Sequence, residues 1–444
     1  MPRTGISRLR VLSTAGVALV VGSGLPLAAQ TGKAASPVAA ALVALDRGDA
    51  AEARPALAAN AAESLFLLAL GEPGETKKST LAQAAALAPE DSWIRSATAG
   101  IAALAEERPE EAAASLRAAL AQRNDKRLHK LLGDSLRAQA DWDGALVAYT
   151  AATSLDPSYP QALLAIGDLK RRVNDFAGAF NAYNHAIDDN GRPLGALLGR
   201  ATSRLQLNDK EGTLADLERA AEVARSPAEK ARALMSVVYA HTYWRALPTG
   251  LEAAEQVVAL WLAEGRADSA AAASNATGRV LLETGDAAAA ESWYERGWQI
   301  ISGSSLKPEE KTIWHVRRLH AAARIAAQRR EFRRAQTIAE EARLLMVTDA
   351  ANGDHYKQIY PYLIGYIRWQ ERKFGEAIGL LEQADTDLPF IQYLIADCHA
   401  RSRDRANARL WYERALASGS GLDAESSVVR PLATAWLAKN PAGS

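Results

Sequence analysis

A spacing that recurs every thirty-four residues constrains this chain more than any other feature. Leu132-Gly133 is followed by Ala145, Tyr149, Ala152 and Pro157. One period later come Ile166-Gly167, Ala179, Tyr183 and Ala186, with Gly191 in place of the proline. Another period on stand Ala201, Thr213, Leu217 and Ala220, and much later Ile364-Gly365, Ala377, Leu381, Ala384 and Pro389. A fixed period of this length marks a stack of supersecondary units, none of which can bury its apolar face alone. A small residue at the eighth place and alanine at the twentieth let two antiparallel helices touch. The large residue at the twenty-fourth fills the space beside them, and alanine at the twenty-seventh admits the next unit. Proline near the thirty-second ends the second helix, because it lacks the N–H that would continue the ladder. Polar turns such as Ala140-Asp141-Trp142-Asp143 and Thr284-Gly285-Asp286 separate the helices.

The pattern resembles the tetratricopeptide repeat family, most specifically over 126–193 and 358–391. It is readable in weaker form over 34–57, 58–91, 93–125, 194–227, 271–304, 316–349 and 389–422. Examples are Gly100, Ala112, Leu116 and Ala119, then Gly278, Ala290, Tyr294 and Gly297, then Ala396, Ala408, Tyr412 and Ala415. The family's tryptophan at the fourth place is mostly absent. The resemblance implies an all-α fold, a right-handed α-solenoid of antiparallel helix pairs. Residues 228–263 depart most from the pattern, so longer or shifted helices are expected there.

Composition agrees with a helical reading. The 444 residues are too many for one ordinary core, hydrophobic residues make up 48% and charged residues 23%, and alanine is conspicuous. Lysine plus arginine (52) equals aspartate plus glutamate (52), so no global field draws in nucleic acid or an anionic membrane. One cysteine, Cys398, excludes an intrachain disulfide framework and a CxxC site.

Arg3, Arg8 and Arg10 precede an apolar stretch from Val11 to Val21, and Pro26-Leu27-Ala28-Ala29 follows. This is the order of a secretory signal peptide, with a cut expected after Ala29, an uncleaved anchor being the alternative. The apolar core is shorter than a typical spanning helix. A periplasmic or secreted protein is therefore expected. The organisation read from the chain is a signal at 1–29, a leader at 30–36, and a first array at 37–227. Divergent helical pairs at 228–304, a second array at 305–426, and a capping helix and tail at 427–444 complete it. Ser226-Pro227-Ala228-Glu229 reads as a helix start. Ser302-Gly303-Ser304-Ser305 with Lys307-Pro308, and Asp349 to Asp354, read as irregular joints.

No catalytic signature is present in the sequence: neither HExxH, GxxxxGK, GxSxG nor GxGxxG occurs. His315 and His320 are five apart, on poorly aligned faces of one helix. Cys398 sits among apolar neighbours and reads as a structural thiol, and turn aspartates such as Asp141 and Asp209 read as backbone acceptors. No catalytic, metal or cofactor site is assigned.

The resemblance also implies that the first helix of each pair lines a groove. The positions it assigns there hold Asn275 and Arg279; Arg317, His320 and Arg324; Tyr362, Tyr366 and Trp369; and Tyr393. Tyr239 and Tyr243 join them from the divergent segment. Residues 362, 366 and 369 are four and three apart, one stripe of a helix. Aromatics and arginines are enriched at protein–protein hot spots, and the competing reading is inter-repeat packing. The lysine–asparagine clamp of some family members is not reproduced, since Lys130 is followed by Asp134 and Leu164 by Asp168. The run Arg329–Arg334 reads as a solvated turn, with an anionic partner as the alternative. The expectation is a non-catalytic protein-binding scaffold without a cofactor. An envelope accessory protein binding polysaccharide is the alternative, and an enzyme with a cryptic site is a third reading.

Overall fold

The computed structural model describes residues 62–187, 194–349 and 352–441, apart from the side chain at 355. The signal peptide, the leader and the repeat at 34–57 lie outside the described residues. So do the first residues of the 58–91 repeat, residues 350–351 of the second joint, and the last three residues. The described residues hold helices and no strand.

Twenty-one helices follow in order among the described residues. First come α1 (Ala62–Leu70) with α2 (Gly74–Leu87), α3 (Trp93–Ala105) with α4 (Pro109–Gln122), α5 (Lys126–Ala138) with α6 (Trp142–Leu155), then α7 (Pro160–Arg172) and α8 (Phe176–Ala186), and α9 (Leu194–Gln206) with α10 (Lys210–Val223). Then come α11 (Pro227–Tyr243) with α12 (Leu247–Ala263), α13 (Ala267–Thr284) with α14 (Ala287–Ser302), and α15 (Pro308–Gln328) with α16 (Phe332–Thr348). The last pairs are α17 (Gly353–Gln370) with α18 (Phe374–Leu381) and α19 (Pro389–Arg401) with α20 (Arg405–Ser418), before α21 (Ala424–Lys439). The chain divides into two compact units. Unit 1 comprises residues 1–169 with 185–192, and unit 2 comprises 170–184 with 193–444.

The repeat columns do the packing expected of them. A Cβ added at Gly133 would run into the Tyr149 ring, and one at Gly365 would stand 2.8 Å from Leu381 Cγ. Gly100 against Leu116 (2.8 Å) and Gly278 against Tyr294 (3.0 Å) repeat the arrangement, so the eighth place is small because the twenty-fourth residue fills its space. Ala112, Ala145, Ala179, Ala290, Ala377 and Ala408, at the twentieth place, are all fully buried.

The turns after α5, α7, α9 and α19 share one recipe. A residue with positive φ (Ala140 62°, Asn174 62°, Asn208 61°, Arg403 64°) reverses the chain, and the next residue is an aspartate. That aspartate accepts the backbone N–H three residues on: Asp141 from Gly144 (3.0 Å), Asp175 from Gly178 (2.8 Å), Asp209 from Gly212 (2.9 Å) and Asp404 from Asn407 (3.2 Å). Asp141 and Asp209 are turn aspartates read from the sequence as backbone acceptors. Ser226 also caps as read, accepting from the Glu229 N–H at 3.2 Å, while the Glu229 carboxylate reaches back to the Arg225 N–H (2.6 Å). The segment expected to have longer helices has them: α11 and α12 run 17 residues each.

In unit 2, successive first helices touch one another: α9 with α11, α11 with α13, α15 with α17, and α17 with α19. Neighbouring second helices make no comparable contact. The stack in this unit therefore bends toward its first helices, which form an inner layer.

Candidate functional site

The inner layer of unit 2 carries all of the groove candidates. Residues 317, 320 and 324 of α15 and 362, 366 and 369 of α17 lie along facing stripes, and the α15–α17 contact brings the two stripes together. The His320 and Tyr362 rings lie 5.3 Å apart. The Arg324 guanidinium stands over the Tyr366 ring at 4.7 Å and the Tyr362 ring at 5.4 Å, and pairs with the Glu283 carboxylate of α13. Arg279, also on α13, pairs with Glu425 of α21 at 2.8 Å and stands 5.9 Å over the Phe390 ring.

Burial revises what these residues present. Arg324 is 2% exposed and Tyr366 1%, so both belong to the inter-repeat core and not to an open groove. The reason is the meeting of α15 and α17, which places the Tyr366 ring under the Arg324 guanidinium. Tyr366 is thereby a packing residue, the competing reading its spacing had left open. Trp369 is half-buried. Its Nε1–H donates to Asp397 (2.6 Å), its ring lies 5.4 Å from that of Tyr366, and Arg401, itself bonded to Asp397 (2.6 Å), stands 5.8 Å over it. Tyr393 is half-buried between Phe390 and Tyr412, with ring centroids at 5.9 Å from each. Arg317 is set apart: it is exposed and stacks on Trp314 of its own helix at 4.7 Å. Asn275 lies against Gly297, where an added Cβ would stand 2.5 Å from its Oδ1. The Tyr243 hydroxyl donates to Gln206 (3.3 Å).

The electrostatics follow from this enclosure. Desolvation, with the positive charge of Arg279, pushes the His320 imidazole down to about 4, so it is neutral at pH 7. Its Nε2 and the Tyr362 hydroxyl are buried without a hydrogen-bond partner. Burial raises the Tyr294 phenol well above its ordinary value, against the opposing pull of Arg279. The cluster thus holds two guanidinium–carboxylate pairs, Arg279–Glu425 and Arg324–Glu283, among neutral rings. Above it opens a cleft of about 440 Å³, lined by Tyr239, Arg279, Pro389, Ser418, Asp423 and Glu425 among others.

Glu283, Glu425 and Asp397 escaped the sequence reading. Asp397 had a local signal, standing four residues after Tyr393 and four before Arg401 on one helical face. Glu425 had none, because its partner Arg279 is remote in sequence. No group of histidine, cysteine and carboxylate side chains among the described residues is arranged to hold a metal. Burial pushes the Cys398 thiol up to about 12, which makes it a poor nucleophile. In the Arg329–Arg334 turn, Arg329 pairs with Glu291 (2.7 Å) and Arg334 with Glu331 (2.8 Å). No helix among the described residues is long and apolar enough to cross a membrane.

The sequence profile of the tetratricopeptide repeat matches residues 97–160, 130–190, 247–300 and 362–423, including part of the segment that departs most from the repeat columns. Among solved structures, PilF of Pseudomonas aeruginosa is 18% identical over 45% of this chain and 91% of its own, with a TM-score of 0.37. A tetratricopeptide repeat protein from Parabacteroides merdae is 20% identical over 62% of this chain and 98% of its own (TM-score 0.37). The C-terminal part of a repeat protein from Cytophaga hutchinsonii is 12% identical over 66% and 97% (TM-score 0.34). No curated protein matches the chain.

Proposed function

The chain is a tetratricopeptide repeat protein, and from that premise we propose that it is a non-catalytic scaffold outside the cytoplasm that grips a protein partner on the inner layer of unit 2. Such repeats make a protein–protein interaction module. The observation that carries the choice of surface is the Arg279–Glu425 pair beneath the open cleft, with the exposed Arg317 and half-buried Trp369 and Tyr393 on the same layer. Charged and aromatic groups that are partly desolvated and partly open are where association energy concentrates. Export rests on the charged, apolar and small-residue order of residues 1–29.

The polysaccharide reading draws less support. A sugar ring stacks on a free aromatic face, and Trp369 has Tyr366 and Arg401 over its ring. The test uses the full chain with a C-terminal tag, produced in a Gram-negative host. The recovered protein is expected to begin at Gln30 and to partition with the envelope; a cytoplasmic product retaining Met1 refutes export. Pull-down from envelope extract is expected to recover one defined protein, lost on Arg279→Glu. Retention of a glycan with no protein recovered, abolished by Trp369→Ala, would give the site to polysaccharide.

A further inference from the structure

A terminal helix that only caps a solenoid has to cover the docking face of the last repeat. Helix α21 does this, packing on α19 and α20, but it also packs on α11 and α13, which come much earlier in the chain. Two side chains pin it there. Glu425 pairs with Arg279 (2.8 Å) and accepts the Phe390 N–H (3.3 Å). Arg430, 5% exposed, donates to the carbonyls of Leu416 (2.9 Å) and Gly419 (2.5 Å), to Asn174 (2.8 Å) and to Gln206 (3.3 Å). The first turn of α21 is built as an acidic, capped helix start: Asp423 accepts the N–H groups of Glu425 (3.0 Å) and Ser426 (2.8 Å). That turn lies against the inner layer, yet the cleft of about 440 Å³ beside it leaves Arg279 open to an incoming carboxylate.

We propose that the start of α21 is an internal stand-in for the partner, and that the inner layer receives a partner-protein helix with an acidic, aspartate-capped first turn, which exchanges with Glu425 for Arg279. This rests on the reading of the chain as a protein-binding scaffold. The partner's chemistry is that of the helix already seated there. Exchange needs only the first turn of α21 to lift, because Arg430 holds the rest of the helix from its other side. An incoming carboxylate finds the same cation, the same Phe390 N–H and the polar rim at Ser418.

The test uses the full chain and a labelled synthetic peptide copying residues 420–440. The wild-type chain is expected to bind the peptide weakly, because α21 competes at high effective concentration. Glu425→Gln, which leaves α21 its cap, is expected to tighten binding roughly tenfold, and adding Arg279→Gln to remove that gain. A peptide carrying Gln at 425 is expected not to bind. On wild-type chain saturated with the peptide, amide exchange over 424–429 is expected to accelerate. Equal binding by wild type and Glu425→Gln, or unchanged exchange in the wild type, overturns the proposal. A dimer of the Glu425→Gln chain in sedimentation would overturn it too, by giving the surface to a second copy. If the peptide fails while envelope pull-down still yields a partner, the scaffold reading stands and only this inference falls.

Discussion

Arg324 and Glu283 show how a single buried pair is balanced. Their side chains are 3% and 5% exposed, so each is stable as an ion only because the other is present. Taking both out of water costs several kcal/mol, recovered by their attraction and by the tyrosine faces on the guanidinium. Arg324→Met strands the carboxylate and is expected to cost about 3–5 kcal/mol in urea unfolding. Adding Glu283→Met removes the stranded charge, so the double variant is expected to be more stable than the single one; a double variant at least as unstable would refute the pairing. His320 makes a second residue-scale prediction. Its imidazole titrates near 6.5 when free and is pushed down to about 4 by burial and Arg279. The unfolded chain therefore takes the proton first as pH falls. The stability contributed by the neutral ring is complete above about pH 6.5 and is lost toward pH 4, at up to about 1.4 kcal/mol per pH unit. Between pH 7 and pH 5 the wild type should lose more unfolding free energy than His320→Gln. An equal loss in both would show that His320 is not the group responsible.

At the scale of the helix pair, the eighth and twenty-fourth places of the repeat are one object divided between two helices. Tyr149 is fully buried against Gly133, and its hydroxyl donates to Asp134 at 2.9 Å. Gly133→Ala forces the ring and α5 apart, and overpacking of this kind costs about 1–3 kcal/mol. Tyr149→Leu in the same chain shrinks the obstacle and should restore part of that loss. Thermal unfolding of the four chains checks this, and an additive pair of effects would mean that the two residues do not touch. The turn aspartates work on the same scale: each ties a helix start to a reversal that only a positive-φ residue makes, so helix length and turn position are set together.

At the scale of the whole molecule, an array of this kind normally couples only nearest neighbours. Arg430 breaks that rule within unit 2 by joining Leu416 and Gly419 to Asn174 and Gln206, residues more than two hundred positions earlier. The loop so closed is long, and closure entropy grows only slowly with length, so a few well-placed hydrogen bonds can hold it. Arg430→Gln is expected to accelerate amide exchange around Asn174 and Gln206 as well as at 416–439. Acceleration confined to 405–439 would reduce α21 to a simple cap.

The pairing of helices and turns such as those at Asp141 and Asp209 were legible in the sequence, because each depends on contacts inside one period; a final helix was legible too, but not the distant contacts that hold it. A glycine eight residues in, an alanine at the twentieth and an aspartate at the turn act on neighbours that the chain itself brings together. The candidate site was legible only in part. The stripes on α15 and α17 were visible as helical spacing, and their meeting is real, but spacing alone could not separate the exposed Arg317 from the buried Arg324 and Tyr366. That difference depends on how far the stack bends toward its first helices, which is the sum of many small inter-repeat rotations. The pairing of Arg279 with Glu425 and the clasp at Arg430 were decided by tertiary structure alone, because hydrogen bonds between residues so far apart leave no periodic trace in the chain.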